Sequence, residues 1–460
     1  MMSFHRIFIA VFVCTFALAE THAAEQPGRP FPAGDLMQDR IAFQYAVYCL
    51  PTCKGDLMKA LQAEVHEIDP KLIVLVGLPK KNPDAPAVWV HVENDVAGSY
   101  APPDLKGLQY FGKGITHDQA VEVQGSRQAI ALIFAHPKTF AWSGLKTANV
   151  LVERVARRVG GLIWDDDSRL MYSADAWHSK RVESWTSVPA EVANHIAIHS
   201  YDIDGAYVRS ITLGMAKFGL PDIVVEQFSW SDDRNMGNLI NSLAQVMAEG
   251  ARFRVPGTFD LDLRTIRNDI AREKQTKTLL AGATSVAHLN LSGGVPDEGD
   301  PKNRLIEIGF DQYSGNGVRA KQDAMLSSLF GAQESVARVK HDGELLKASN
   351  KARSRLPELK KAFNDGLQPG AFIELKVPFD VPNDSGHEYM WVEVTKWDDA
   401  GKIQGLLRND PELIPNLHAG EIVAVEQSKV FDYILRHADG SQEGNETGQI
   451  ILRMQQEHKD

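Results

Sequence analysis

The chain has 460 residues, of which 43% are hydrophobic and 24% are charged, and its formal net charge is -11. This composition is that of a folded protein and argues against a chain that is disordered throughout. A negative charge spread along the chain also argues against a nucleic-acid partner, which would require a basic surface. At roughly 150 residues per domain, the length predicts two or three domains.

The first 24 residues have the pattern of a signal peptide. His5 and Arg6 are followed by an uncharged, mostly apolar run over residues 7–19, which is shorter than the ~20 residues that cross a membrane. Cleavage is expected after one of three alanines: Ala19, Ala23 or Ala24. The alternative is an uncleaved membrane anchor. We therefore predict a periplasmic or secreted protein with no membrane span after cleavage.

The composition beyond the signal peptide indicates two folded regions. Residues 25–34 are rich in Pro and Gly and are predicted to be a linker. Apolar runs and helical stretches alternate over residues 35–268, which predicts a mixed α/β domain. Residues 266–277 are charged and have no strand pattern, so we place a domain boundary there. Residues 278–460 are the second domain, and the fold class of the whole chain is α+β.

Periodicity predicts the elements of both domains in chain order. The predicted elements of the first domain are strands at 41–50, 72–78, 88–92, 129–135, 162–164, 195–201 and 223–228 and helices at 54–65, 147–159 and 236–247. Periodicity does not decide whether residues 207–218 form a helix or a strand. The predicted elements of the second domain are strands at 305–310, 372–377, 389–396, 403–407, 422–425 and 450–452 and helices at 322–330, 345–356 and 357–363. Short strands with turns at the end of the chain favour a small antiparallel sheet or barrel with flanking helices.

Two cysteines, Cys49 and Cys53, remain after removal of the signal peptide. In an oxidising compartment they are expected to form a local disulfide that acts as a clip on a turn. A redox pair or a copper site is the alternative, because the cysteines lie between a strand and a helix.

The sequence contains no catalytic signature that we recognise. It has no Gly-x-Ser-x-Gly, no His-Glu-x-x-His and no Cys-x-x-Cys pair. The glycine-rich segment 107–114 lacks the Ser or Thr of a phosphate loop, and the segment 315–320 begins too far from its strand to make a tight dinucleotide turn. We therefore predict neither a metal nor a cofactor.

Three polar positions are candidate binding residues. Asp165 begins a run of three aspartates that has oxygen ligands for a cation, although a solvated turn at a strand end has the same composition. His195 and His199 share one face of a predicted strand, about 13 Å apart, which is too far for one metal ion. We expect these histidines to lie on the surface or in a groove.

The C-terminal motifs resemble a known bacterial family. The four motifs are Lys376-Val-Pro-Phe379, Glu388-Tyr-Met-Trp-Val-Glu-Val394, Gly405-Leu-Leu-Arg-Asn-Asp-Pro411 and Ala419-Gly-Glu421. They resemble the YegJ-like family, a domain of unknown function (2314), and residues 161–165 and 209–221 are similar to the N-terminal part of its longer members. The resemblance implies no activity, metal or cofactor.

One strand of these motifs has a face with binding potential. Trp391 and Glu393 lie opposite the apolar face of that strand, and an exposed aromatic side chain makes good contacts with a ligand. The alternative is that Trp391 packs under a loop.

These observations favour a non-enzymatic binding protein of the cell envelope, with a protein or peptide as the partner and no nucleic acid. An exported enzyme that uses Asp165, His195 or His199 is the alternative. A thiol or copper protein built on Cys49 and Cys53 is a third hypothesis.

Overall fold

The computed structural model describes residues 27–53, 55–77, 83–331, 343–382 and 386–457. The predicted signal peptide lies outside this part of the chain. Helices and strands are mixed along the sequence, and the α+β class is confirmed. Within the described residues, no helix has the length and apolar character that crossing a membrane requires.

Twenty-one strands are found in the described part of the chain. The first eight are β1 (Gly34–Asp35), β2 (Arg40–Cys49), β3 (Ile73–Val76), β4 (Ala87–Glu93), β5 (Gly112–Lys113), β6 (Gln128–Pro137), β7 (Leu162–Asp165) and β8 (Leu170–Tyr172). The next seven are β9 (Ala197–Ile203), β10 (Tyr207–Leu213), β11 (Asp222–Phe228), β12 (Arg252–Phe253), β13 (Thr258–Asp262), β14 (Val286–Gly293) and β15 (Leu305–Gly309). The last six are β16 (Phe372–Asp380), β17 (His387–Trp397), β18 (Lys402–Leu407), β19 (Ile422–Glu426), β20 (Asp432–Arg436) and β21 (Gln442–Gly444).

Eleven α-helices are found in the same part of the chain. They are α1 (Leu57–Ile68), α2 (Val96–Ser99), α3 (Leu105–Phe111), α4 (His117–Gln124), α5 (Ala141–Val159), α6 (Ala174–Trp177), α7 (Asp233–Ala248), α8 (Asp269–Thr276), α9 (Val318–Phe330), α10 (Gly343–Asp365) and α11 (Glu446–Glu457).

The first sheet has seven strands in the order β3-β4-β6-β2-β7-β8-β5. Its central strands β2, β6 and β7 are almost continuously apolar because both faces of the sheet are covered. Helices α1 and α5 contact each other next to this sheet, and their apolar stripes lie in its main core. Helix α5 ends at Gly160, whose φ of 75° is a left-handed conformation that glycine adopts without strain.

The second sheet has six strands in the order β13-β14-β15-β11-β10-β9. Strands β13 and β14 pair with each other, although they lie on opposite sides of residues 266–277, where we placed a domain boundary. That segment forms helix α8 on the same core and does not separate two sheets. Its charged residues cover the solvent side of a short helix, a pattern that the sequence alone did not distinguish from a domain boundary.

The described part of the predicted linker, residues 27–34, is an ordered edge of the second sheet. Phe31 is buried, and its amide donates to the carbonyl of Leu291. The amide of Gly28 donates to the carbonyl of Gly293, so the described residues of the 25–34 segment are fixed by backbone hydrogen bonds. Pro and Gly predict irregular backbone here, and this backbone is packed because Phe31 reaches the core.

Residues 207–218, which periodicity left open, form strand β10 and a 3-10 turn over Met215–Phe218. Gly214 and Gly219 flank the turn with φ angles of 111° and 67°, both in the region that favours glycine. These two glycines end the strand and return the chain into β11.

The C-terminal region is an open antiparallel sheet in the order β19-β18-β17-β16-β20-β21, not a closed barrel. Strands β17 and β18 form a hairpin. Helix α10 covers one face of the sheet, and its buried residues Ala352, Leu356 and Leu359 pack against that sheet.

Two predicted elements of this region are wrong. Residues 345–363 form one helix and not two, and Pro357 lies on the exposed side of α10. Residues 450–452 were predicted as a strand and lie in α11. The amide of Thr447 donates to a carboxylate oxygen of Asp432 at 2.9 Å, and this contact fixes the first turn of that helix.

Candidate functional site

The most strongly buried charges of the described chain form an ion centre of Asp165, Arg181 and Lys217. Asp165 is the last residue of β7, Arg181 lies in a π-helical turn over His178–Glu183, and Lys217 lies in the 3-10 turn after β10. A guanidinium nitrogen of Arg181 donates to Asp165 at 2.7 Å, and Nζ of Lys217 donates to the same carboxylate oxygen at 2.6 Å. All three side chains have 0% exposure.

The ion centre is enclosed by aromatic rings and backbone. The Arg181 guanidinium lies 5.1 Å from the ring centroid of Trp177 and 5.3 Å from that of Tyr172, a cation–π arrangement. Nζ of Lys217 also donates to the backbone carbonyl of His195 at 2.8 Å. The structure thus brings together Asp165 and His195, two of the predicted site residues, through a lysine that joins them.

Burial and charge fix the protonation states around the ion centre. Burial acts to raise the pKa of Asp165, but Lys217 and Arg181 outweigh it and leave this pKa lowered. Burial raises the pKa of Asp167 to about 7, against the effect of Lys217. The pKa of His195 is well below its usual value because of burial and the nearby cations Arg181, Lys217 and Lys180. Asp165 is therefore ionised and His195 is neutral at pH 7.

The three aspartates at the end of β7 bind different partners. Asp165 accepts from Arg181 and Lys217, Asp166 accepts from the indole nitrogen of Trp164 at 2.8 Å, and Asp167 accepts from the amide of Gln44 at 3.0 Å. Their carboxylates therefore do not converge on one point, as ligands of a cation would. Within the described residues, no group of three or more His, Cys, Asp and Glu side chains is placed to hold a metal ion.

The two candidate histidines lie in different surroundings. His195 precedes β9, is buried and has its ring 5.0 Å from that of Trp185, centroid to centroid, so the expected surface or groove position is wrong for this residue. His199 is in β9, half-buried, with its ring centroid 6.1 Å from that of Phe111. Burial lowers the pKa of His199 as well.

Cys49 and Cys53 form a disulfide in the structure, with their Cα atoms 5.4 Å apart. Cys49 is the last residue of β2, and Cys53 lies shortly before α1. Both residues are partly buried and pack against the main core. The bridge closes the turn between the first central strand and the first helix.

We expect no reactive thiol in the purified protein. A thiol titration under denaturing conditions should give none before reduction and two after reduction, because Cys49 and Cys53 are joined and Cys14 leaves with the predicted signal peptide. Recovery of two reactive thiols without reductant would contradict the disulfide.

A second group of charges, the junction cluster, joins the C-terminal sheet to the rest of the chain. It consists of Arg319 and Asp323 from α9, Asp232 from the turn before α7, Arg408 after β18 and Glu374 from β16. Arg408 lies 2.7 Å from Asp232, 3.3 Å from Glu374 and 3.4 Å from Asp323. Arg319 forms ion pairs with both aspartates. Removing one partner of a buried ion pair leaves an uncompensated charge and is strongly destabilising.

Glu393, a predicted binding residue, forms hydrogen bonds within the protein next to the junction cluster. It is buried, and its two carboxylate oxygens accept from the amides of Trp230 and Ser231 at 3.1 and 2.9 Å. These amides begin the helical segment that continues as α7. A carboxylate at this end of a helix is stabilised by the unpaired amides and by the helix dipole.

Trp391 lies on the same face of β17 and is half-buried. The ammonium of Lys376 lies 5.6 Å from the centroid of its indole ring. The backbone carbonyl of Trp391 accepts from the amide of Arg408 at 2.9 Å. The side chain thus has a cationic neighbour and part of its surface in contact with solvent.

Burial raises the pKa of Glu374 to about 7, and Glu393 adds to the shift while Arg408 opposes it. Between pH 5 and pH 7 the folded state therefore holds a proton that the unfolded state has lost. We expect the free energy of unfolding to fall as the pH rises through this range, by up to about 3 kcal/mol for this group. In Glu374→Gln the free energy of unfolding, measured by urea unfolding, should fall less between pH 5 and pH 8 than in the wild type.

The control for that experiment is Glu358→Gln. Glu358 is an exposed residue of α10 that pairs with Arg355, and its loss should leave the pH dependence unchanged. An unaltered pH dependence in Glu374→Gln would show that the carboxyl of Glu374 does not titrate in this range.

The described surface has shallow grooves and free strand edges. Two open grooves have volumes of about 720 and 810 Å³. Asp165, His195 and Trp391 line neither of them. Strand β19 is an outer strand of the C-terminal sheet, and Ile422 at its start is 54% exposed. An exposed outer strand presents unpaired backbone groups.

Sequence reasoning missed the cations of both charged groups. Lys217 lies within the segment 209–221, and Arg408 lies within the motif 405–411, so both belong to segments that the family resemblance had marked. Arg181 and Arg319 have no such signal. Their partners come from distant parts of the chain, and the spacing of residues in the sequence does not show such contacts.

These features define an α+β protein in which an open antiparallel sheet packs through ion pairs on a larger region that contains the other sheets. Residues 342–460, about a quarter of the chain, match the family DUF2314, described as an uncharacterized protein conserved in bacteria. The family resemblance is confirmed for these residues. The resemblance of residues 161–165 and 209–221 to longer members stays a prediction. A search of curated proteins and a search of solved structures found no match.

Proposed function

We propose that the protein is a non-enzymatic binding protein of the cell envelope that recognises another polypeptide. The support from the ion centre is that Arg181 and Lys217 both donate to one buried carboxylate, that of Asp165. The Asp165, Arg181 and Lys217 side chains have no exposed surface, and the carboxylate of Glu393 is bound by two backbone amides. A catalytic group must reach its substrate within hydrogen-bond distance, and in this arrangement these groups contact only the protein.

The observation that favours a polypeptide partner is the outer strand β19. Its residues alternate between exposed and partly buried, and Ile422, Ala424 and Glu426 are the exposed ones. Addition of a strand to a free sheet edge is a common mode of peptide recognition, in which the backbone supplies most of the affinity.

The envelope location rests on the predicted signal peptide. A disulfide between Cys49 and Cys53 is consistent with that location, because disulfides persist in oxidising compartments. An exported enzyme is the alternative that an experiment must distinguish from a binding protein.

The proposal is tested with the full-length protein expressed in a bacterial host and recovered from the envelope fraction. Chemical cross-linking followed by mass spectrometry should give cross-links to one polypeptide, and the purified polypeptide should compete for them in a saturable manner. A panel of hydrolase and transferase substrates should show no turnover above that of the same reactions without the protein. Turnover by the purified protein, without a competed cross-link, would overturn the proposal.

A further inference from the structure

The backbone of β19 faces two ways. On its inner side it pairs with β18, with Ile403 opposite Val425 and Gly405 opposite Val423. The amide of Leu407 donates to the carbonyl of Glu421 before the strand. Since hydrogen-bonded pairs alternate along an antiparallel ladder, this contact assigns the inward backbone groups to Val423 and Val425.

The outward backbone groups of β19 therefore belong to Ile422, Ala424 and Glu426. The amide of Gln427 donates to the carbonyl of Gly401 just beyond the strand, which is the alternation expected from the other end of the ladder. Among the described strands, β19 has no neighbour on its outer side. Three residues thus offer both an amide and a carbonyl to an added strand.

The side chains of the same three residues lie on one face because they alternate along the strand. Ile422 is 54% exposed, Ala424 is small and exposed, and Glu426 is exposed at the other end. Glu426 stands opposite Lys402 in the sheet, but within the described residues no ion pair joins the two. This strip therefore offers an apolar contact at one end and a carboxylate at the other.

A second copy of the chain is a poor occupant of this edge. If two copies of β19 paired antiparallel about Ala424, the isoleucine of one would lie opposite the glutamate of the other. Residues directly opposite one another contribute when both are apolar or when their charges are opposite. The strip instead complements a strand with a basic residue opposite Glu426 and an apolar residue opposite Ile422.

We propose that β19 binds an extended peptide segment that runs antiparallel to it and has the order basic-x-x-x-apolar from N- to C-terminus. The antiparallel direction continues the pairing of the whole C-terminal sheet. The inference rests on the proposed function and specifies its surface and its partner. It predicts affinity from the backbone contacts and sequence preference from the two outer side chains.

The test uses the full mature chain and two synthetic peptides, acetyl-Thr-Lys-Thr-Thr-Thr-Val-Thr-amide and the same peptide with Glu in place of Lys. The wild type should bind the Lys peptide roughly fivefold more tightly than the Glu peptide, because opposite charges face each other only in the first pair. Glu426→Lys should reverse this preference. Binding is measured by fluorescence anisotropy of labelled peptides.

Ala424→Pro removes one outward amide without removing a ladder hydrogen bond, and proline is tolerated at such positions of outer strands. This variant should weaken the binding of both peptides at least about tenfold. Ala424→Thr is the matched control, because it retains the amide and should bind like the wild type. Equal binding by the proline variant, or an unchanged preference in Glu426→Lys, would overturn the inference.

The same variants separate this inference from the proposed function. If Ala424→Pro still gives the competed cross-links to the envelope polypeptide, the protein binds a partner through another surface and β19 is not the site. If the wild type gives no competed cross-link and binds neither peptide, the proposed function itself fails.

Discussion

Asp165→Asn is expected to lower the free energy of unfolding by about 3–5 kcal/mol, because it leaves two buried cations without their common counter-charge. The side chains of Arg181 and Lys217 have 0% exposure, and both donate to the same oxygen of Asp165. An amide at this position retains the shape and loses the charge. Urea unfolding followed by tryptophan fluorescence measures the difference.

Two further variants decide whether the loss comes from the buried charge. Asp175→Asn breaks an ion pair with Arg157 in which the aspartate is 89% exposed, and an exposed pair contributes at most about 1 kcal/mol. Adding Lys217→Met to Asp165→Asn removes one of the two buried cations that have lost their counter-charge, and it should recover part of the stability. Equal effects of Asp165→Asn and Asp175→Asn would contradict a stabilising role of the ion centre.

Asp232→Asn is expected to cost about 3 kcal/mol, since its carboxylate is the buried counter-charge of two arginines in the junction cluster. Asp232 is 2% exposed, binds Arg319 and lies 2.7 Å from Arg408. Loss of this charge should weaken the packing of the C-terminal sheet on the rest of the chain. Thermal unfolding should then begin at a lower temperature than in the wild type.

Asp323→Asn is the matched control for the junction cluster. Asp323 pairs with the same two arginines at 3.3 and 3.4 Å, but it is 27% exposed, so its loss should cost less than about 1 kcal/mol. If the two variants lower the free energy of unfolding by the same amount, burial of Asp232 is not the source of the stability that the junction cluster contributes.

The sequence predicted most strands because each of them contains an apolar run of nearly the same length as the strand. The run at 129–135 and the strand β6 (Gln128–Pro137) agree closely, since both faces of that strand are buried and hydrophobicity alone indicates it. The prediction failed where packing overrides local pattern. Pro357 is a helix-breaking residue by type, yet the apolar stripe of α10 continues across it and holds the helix on the sheet.

The candidate site was predicted less well than the fold, for a physical reason. Asp165 was chosen for its charge at a strand end, and its charge is indeed used, but its partners lie 16 and 52 residues further along the chain. Glu393 was chosen for its place beside Trp391, and it instead caps a helical segment 162 residues earlier. The pattern of charges in the sequence shows that a group is polar and does not show which group will neutralise it.

The sequence predicted a strand at 422–425, which corresponds to β19, but it could not predict that one edge of this strand is free. Whether a strand is central or outer depends on the order of strands in the sheet, and here β19 is joined to its neighbour β18 by a connection of 14 residues and pairs on that side alone in the described structure. The exposure of Ile422 follows from this order and makes the edge a binding surface.

Amide hydrogen exchange of β19 at single-residue resolution is the most direct test that the protein binds polypeptide along this edge. Adding the Lys peptide should slow exchange at Ile422, Ala424 and Glu426, whose amides point outward, and leave Val423 and Val425 unchanged, because their amides already bond to β18. Slowed exchange elsewhere, with no change at these three amides, would contradict the account.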